Sequence, residues 1–225
     1  QNNLSFSESH YDVINATMSS SRLEAQNVQV NCRVARCDWS STQLSPFNSS
    51  RETYQTPALS LTLLNSTGDW AQLQVWDVQM SVAVSPVSII LQNSQWNIRM
   101  LNLTHNGLDL SPTSTSGLVV GGGMAVYATN ATLIGQEWII HGNRGRVGGG
   151  LLCVMDLSHI SIYKAYLSEN SATSTALGGG GVALTASANS TFTLSHGDFS
   201  GNLADLGAGM SAFGYLTLNL TTVAW

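Results

Sequence analysis

One pattern returns six times along this chain. Apolar, strand-like runs open at Leu59, Val87, Met124, Leu151, Val182 and Met210, at spacings of 28, 37, 27, 31 and 28 residues. The last four openings follow Gly121-Gly122-Gly123, Gly148-Gly149-Gly150, Gly179-Gly180-Gly181 and Gly207-Ala208-Gly209. A period of this size means one small unit stacked on copies of itself, each burying its neighbour's face. A stack has long sides and two ends, so function is expected to spread over a surface rather than sit in one cleft.

The units agree past their openings. Asn65, Asn93, Asn130 and Asn189 follow four of the openings by six or seven residues, and Leu157 takes that place in the unit opened by Leu151. Second apolar runs follow at Trp96-Asn97-Ile98, Leu133-Ile134-Gly135, Ile160-Ser161-Ile162, Phe192-Thr193-Leu194 and Leu216-Thr217-Leu218. Ten residues after the start of four of these comes another asparagine: Asn106, Asn143, Asn170 and Asn202. Leu103, Ile140, Leu167 and Phe199 stand three positions before them.

Short runs rich in Val, Ile, Leu and Thr, bounded by Gly, Asn and Ser, read as strands rather than helices. Three short strands in a turn of roughly 28 residues give an all-β fold, a parallel β-helix of about six coils. Strand alternation points Met124/Leu151/Val182/Met210, Val126/Cys153/Leu184/Ala212 and Ala128/Met155/Ala186/Gly214 inward as stacked columns. The glycines suit tight corners where coils approach closely. The repeated asparagines suit left-handed corners, where each amide can bond backbone and stack on the amide of the next coil, giving a ladder at Asn106, Asn143, Asn170 and Asn202.

Gly179-Gly180-Gly181-Val182 and Phe199-Ser200-Gly201-Asn202 resemble the GGA[ILV] and FxxN tetrapeptides of the polymorphic outer-membrane-protein (Pmp) repeat family. Leu103-Thr104-His105-Asn106, Ile140-His141-Gly142-Asn143 and Leu167-Ser168-Glu169-Asn170 keep the xxN spacing without Phe. The resemblance covers roughly residues 87–225 by pattern. It implies a right-handed parallel β-helix of the pectin-lyase-like kind, and a structural or adhesive role at cell surfaces. No later segment resembles a membrane β-barrel, so display by autotransport does not carry over.

Composition points to the same setting. Only 9% of the 225 residues are charged, against about 25% in ordinary domains. Lys164 is the single lysine and the net charge is −5, which offers no basic face to nucleic acid or anionic membrane. No apolar stretch approaches the roughly 18 residues of a membrane span. Eight N-x-[ST] sequons stand at Asn3, Asn15, Asn48, Asn65, Asn102, Asn130, Asn189 and Asn219. Asn65, Asn130 and Asn189 occupy the same corner of different coils, from which a glycan could leave the stack. Asn102 and Asn219 fall within apparent strands and need outward-facing positions. N-glycosylation would supply the solubility that so few charges cannot, and it places the chain in a secreted, extracellular context. A start at Gln1 without Met reads as a mature end left by signal-peptide removal.

Cys32 and Cys37 are close enough in sequence to close a small disulfide loop in an oxidising compartment. Two cysteines without a nearby His are too few for a zinc site. Cys153 falls in an inward column as a small buried hydrophobe. Residues 1–58 are less regular and read as an N-terminal cap or an early coil, ahead of the repeats at 59–225. Residues 107–120, with Pro112 and a Ser/Thr run, read as an inserted loop that explains the 37-residue spacing. The coil opened by Met210 ends at Trp225 without an evident polar cap. Either the chain is a piece of a longer protein, or this edge pairs head to tail with a second copy.

Catalytic chemistry finds little support. Glycoside hydrolysis needs two carboxylates roughly 5 to 10 Å apart, and Asp156, Glu169, Asp198 and Asp205 fall in different columns. Ser195-His196-Gly197-Asp198 gives a lone His segment, and Arg144 and Arg146 read as a solvated corner. His10, His105, His141, His159 and His196 are scattered, although His105 and His141 both precede an Asn corner and are expected to be neighbours. No catalytic, metal or cofactor site is assigned.

Outward positions of the opening strand, among them Tyr127, Leu152, Val154, Thr185 and Phe213, form a nearly charge-free face expected to make contacts. The expectation is therefore a secreted, glycosylated structural or adhesive β-helix of an extracellular surface, matrix or fibre. Its partners would be copies of itself, other extracellular proteins, or glycans. The alternative is a carbohydrate-binding or polysaccharide-degrading β-helix.

Overall fold

The computed structural model describes the backbone of the strands up to residue 54 and of residues 79–80 and 108. It describes residues 57, 59–78, 85–107, 121–173 and 178–225 with their side chains. The architecture is a parallel β-solenoid without helices among the described residues. Its turns lie about 28 residues apart, as in the bonds that join Ser66 to Ser94 and Val78 to Asn106 across 28 positions.

The first column stacks Leu59–Leu64, Val87–Gln92, Met124–Thr129 and Leu151–Asp156, then the opening parts of Val182–Ser200 and Met210–Ala224. Leu59, Val87, Met124, Leu151, Val182 and Met210 stand in one file. Below Leu59 the ladder continues through Val28–Arg33 to Ser9–Val13. Asn2–Phe6, Ser21–Ala25 and Thr42–Leu44 stack in another file that leads into Thr67–Trp76. The strands within the first 58 residues thus share the columns of the later coils.

Three strands form in each of the middle coils, as expected, but of unequal length: six, ten and two residues. In the last two coils the first two are continuous, as Val182–Ser200 and Met210–Ala224. The ten-residue strands are Thr67–Trp76, Gln95–Thr104, Thr132–His141 and His159–Ser168. A single left-handed residue bends the strand in mid-course in successive coils: Glu137 (φ 50°), Lys164 (φ 65°), His196 (φ 58°) and Thr222 (φ 54°). Strand pairing resumes on both sides of it, so the strand continues through the bend. The two-residue strands, from Thr53–Tyr54 to Ser171–Ala172, form a separate five-stranded sheet.

Alternation fills the core. Leu59, Leu61 and Leu63, then Val87, Ile89 and Leu91, then Leu151, Cys153 and Met155 are all buried. Each apolar side chain of this size contributes about 1.5–3 kcal/mol on burial. Burial also pushes the Cys153 thiol well above its ordinary range, so it sits as an inert neutral hydrophobe. Large and small residues alternate around the interior. Trp138 lies over Gly135, where an added Cβ would stand 2.5 Å from the indole. The Trp138 Nε1–H donates to Ile98 O at 3.1 Å, which satisfies the one polar atom that the ring brings into the core.

Two corners close each coil, and each is built from a ladder. At the first, Asn65, Asn93 and Asn130 adopt φ of 46–48°. Asn93 Nδ2 donates to Asn65 Oδ1 (3.1 Å) and Asn130 Nδ2 to Asn93 Oδ1 (2.9 Å). Just inside them a file of buried serines caps the turning backbone. The Ser66 N–H donates to Ser94 Oγ, and the Ser158 N–H to Ser190 Oγ. Leu157 breaks the outer file. It holds the same left-handed conformation (φ 48°) and is 59% exposed. A left-handed non-glycine residue costs roughly 1 kcal/mol, which asparagine tolerates best. Leu157→Asn is therefore expected to raise stability by about 1 kcal/mol, by offering its amide to Asn130 and relieving the backbone. Leu157→Gly should recover only the backbone part. Urea midpoints of the three chains would test this, and a midpoint for Leu157→Asn at or below the parent's would refute it.

The second ladder is buried. The N–H groups of Asn106, Asn143 and Asn170 donate to Oδ1 of Asn143, Asn170 and Asn202 in the coil above, at 3.0–3.1 Å. Their Nδ2 groups reach down to the carbonyls of Val75, Leu103 and Ile140. These asparagines are not the left-handed residues of their corner. The residue before each takes that conformation: His105, Gly142, Glu169 and Gly201. The preceding residue makes the turn, which leaves the Asn side chain pointing into the stack.

Candidate functional site

Sequon positions divide by environment. Asn65, Asn130 and Asn189 are exposed at the first corner, where a recess of about 360 Å³ runs along Asn65, Asn93 and Asn130. Asn219 is exposed on the last coil. Asn102 is half-buried. Asn3, Asn15 and Asn48 lie outside the residues described with side chains. So do Cys32 and Cys37, and with them the expected disulfide. The inserted loop at 107–120 lies, beyond Leu108, outside the described residues.

The expected contact face needs correction at Leu152, which is fully buried. Alternation does turn Leu152, Ala125 and Ala183 away from the main core, but Val147 folds back over them as a satellite cluster. What stays accessible is the next file outward: Ile90, Tyr127, Val154, Thr185 and Phe213, in register across five coils. Partial burial in that file pushes the Tyr127 phenol up.

His105 and His141 do meet, edge to face, with ring centroids 5.2 Å apart. His141 Nδ1 lies 3.0 Å from Ser168 Oγ. Asp77 stands 4.0 Å from His105, and Glu169 stands 3.9 Å from His141. The four groups form a string along the corner, not a convergent set. Among the described residues no group of three or more His, Cys, Asp or Glu is placed to hold a metal ion. No described helix is long and apolar enough to cross a membrane.

One further surface feature is not announced by the sequence. On the ten-residue strands two adjacent outward files, one at the level of the bend residues Glu137 and Lys164 and the other two residues further on, line a groove of about 210 Å³ that crosses four coils. Gln72 and Gln74 come from one coil, Met100 and Asn102 from the next, Glu137 and Ile139 from the third, and Lys164 and Tyr166 from the fourth. Lys164 Nζ lies 3.5 Å from Glu137 Oε1. Tyr166, Ile139 and Met100 are each about 45% exposed. Asn102 Oδ1 is buried without a hydrogen-bond partner. Nearby, Tyr163 packs edge to face on His196 at 5.2 Å.

In the coil of Met210–Ala224, two inward-pointing positions are partly exposed. Leu218 and Leu220 continue the core files of Phe192 and Leu194 but are about 40% exposed. Trp225 stacks on Phe199 at 4.9 Å, with the rest of its ring in solvent.

No family model, curated protein or solved structure matches this chain.

Proposed function

We propose that this chain is a secreted, glycosylated structural or adhesive rod of an extracellular surface, matrix or fibre, not an enzyme. The observation that carries the proposal is the exposure of Asn65, Asn130 and Asn189 along one corner of a rigid stack. Glycans there would leave from a single edge and keep the other faces free for contact. The reading includes a right-handed coil of the Pmp-like, pectin-lyase-like kind. It is supported by the place of Gly179–Val182 at the entry to the first column and of Asn202 in the buried ladder.

Assembly would run head to tail. The described strands all pair in parallel, so a second copy can add to the Met210–Ala224 edge in the same sense. Leu218 and Leu220 would then be covered as their counterparts are in the interior. Self-association and contacts with other extracellular proteins or glycans use the Tyr127–Phe213 file and this end.

The chain made in a eukaryotic secretory host should carry glycan at Asn65, Asn130 and Asn189, read as mass lost on enzymatic deglycosylation and mapped by peptide analysis. Electron microscopy of the glycosylated protein should show filaments with an axial repeat of one stacked chain. Bare asparagines at all three positions would remove the glycosylated rod. Dispersed monomers at high concentration would remove the assembly and leave the alternative, a carbohydrate-binding β-solenoid.

A further inference from the structure

We propose that the groove at the strand bend binds a linear, uncharged oligosaccharide. The inference stands apart from head-to-tail assembly, and neither requires the other.

Shape comes first. The groove runs along the stacking axis, and each coil advances it by about 4.8 Å. That step is comparable to the advance of one sugar ring along a linear chain, so successive rings would meet equivalent positions on successive coils. The chemistry of the lining agrees. Gln72, Gln74 and Asn102 present amides, each with both donor and acceptor capacity and no net charge. Sugar hydroxyls likewise donate and accept.

Asn102 Oδ1 is buried with no partner, so no protein bond fixes that end of the amide. Rotation can therefore offer either its oxygen or its N–H groups to a hydroxyl in the groove. Tyr166, Ile139 and Met100 offer exposed apolar surface on which the C–H face of a ring can lie.

Charge excludes the main rivals. Glu137 and Lys164 neutralise one another at the rim, so neither an acidic nor a basic polymer finds a field there. An extended peptide would bind by adding a strand to an open sheet edge. The strands across the middle of this groove are paired on both sides.

The test uses the full chain carrying Thr104→Ala, which removes the sequon at Asn102 so that no attached glycan can fill the groove. Cellohexaose, laminarihexaose and chitohexaose are titrated calorimetrically up to about 10 mM, with hexagalacturonate as the charged comparison. At least one neutral hexasaccharide should bind with a Kd between about 10 μM and 1 mM. Tyr166→Ala should weaken it roughly tenfold, and so should the isosteric Asn102→Asp, which places a charge in the groove. Tyr215→Ala, at a different corner, should change nothing. The proposal is overturned if none of the three neutral sugars binds. It is equally overturned if hexagalacturonate binds most tightly, or if a folded Tyr166→Ala or Asn102→Asp chain retains full affinity.

Discussion

Asn143→Ala is expected to lower the unfolding free energy by about 3 to 5 kcal/mol, with no change visible from outside the molecule. The side chain is fully buried and joins three coils. Its Oδ1 accepts from the Asn106 N–H at 3.0 Å. Its Nδ2 donates to Leu103 O at 2.9 Å and to Asn170 Oδ1 at 3.0 Å. Alanine leaves the Asn106 N–H buried without a partner, at a cost of about 1–3 kcal/mol, removes the side-chain donor to the Leu103 carbonyl and to Asn170 Oδ1, and opens a small void beside them. Asn93→Ala is the comparison. Its ladder bond to Asn65 is exposed and water can replace it, so the cost should be about 1 kcal/mol. Denaturant midpoints of the two variants decide the matter. Equal shifts would mean that the buried ladder does not hold the coils together.

Gly149→Ala should cost about 3 kcal/mol or more, although it adds one methyl group. The glycine runs lie where the backbones of neighbouring coils come closest. Gly123 N–H donates to Gly150 O at 3.0 Å, and Gly150 N–H donates to Gly181 O at 3.2 Å. A Cβ on Gly149 would be driven into the Gly180 carbonyl oxygen and would stand 2.5 Å from Ser171 backbone. Backbone held in two ladders cannot move aside as a flexible side chain can. Gly201→Ala separates crowding from conformation. Gly201 has a left-handed φ of 62°, yet its added Cβ meets nothing closer than 3.5 Å. Only the conformational cost remains there, about 1 kcal/mol. Thermal unfolding of both variants would show the difference, and a smaller loss for Gly149→Ala than for Gly201→Ala would contradict it.

These two variants also mark what the sequence makes legible. The inward files could be read because strand alternation needs no tertiary knowledge: Val126, Cys153 and Leu184 recur at fixed offsets from glycine. Asn143 could be placed in a ladder because its spacing from Leu133 repeats in four coils. The bend could not be read, since Glu137, Lys164, His196 and Thr222 share a left-handed conformation but no chemical likeness. Stacking imposes the conformation on whatever residue stands there. The groove was hidden for the same reason. Its lining residues are scattered between Gln72 and Tyr166 and line up only once the coils stack. Leu152 misled because alternation gives its direction correctly but says nothing of Val147 folding back over it.

The ladders have a mechanical consequence. Every bond in them joins one coil to the next, so an interior coil is clamped from two sides and a terminal coil from one. A pull on the chain end therefore works against a single interface at a time. Each rupture would free a length of 28 residues, the separation of Val78 and Asn106, or about 90–100 Å of extended chain. The rod would lengthen under load by discrete steps, one turn after another, while the remainder kept its shape.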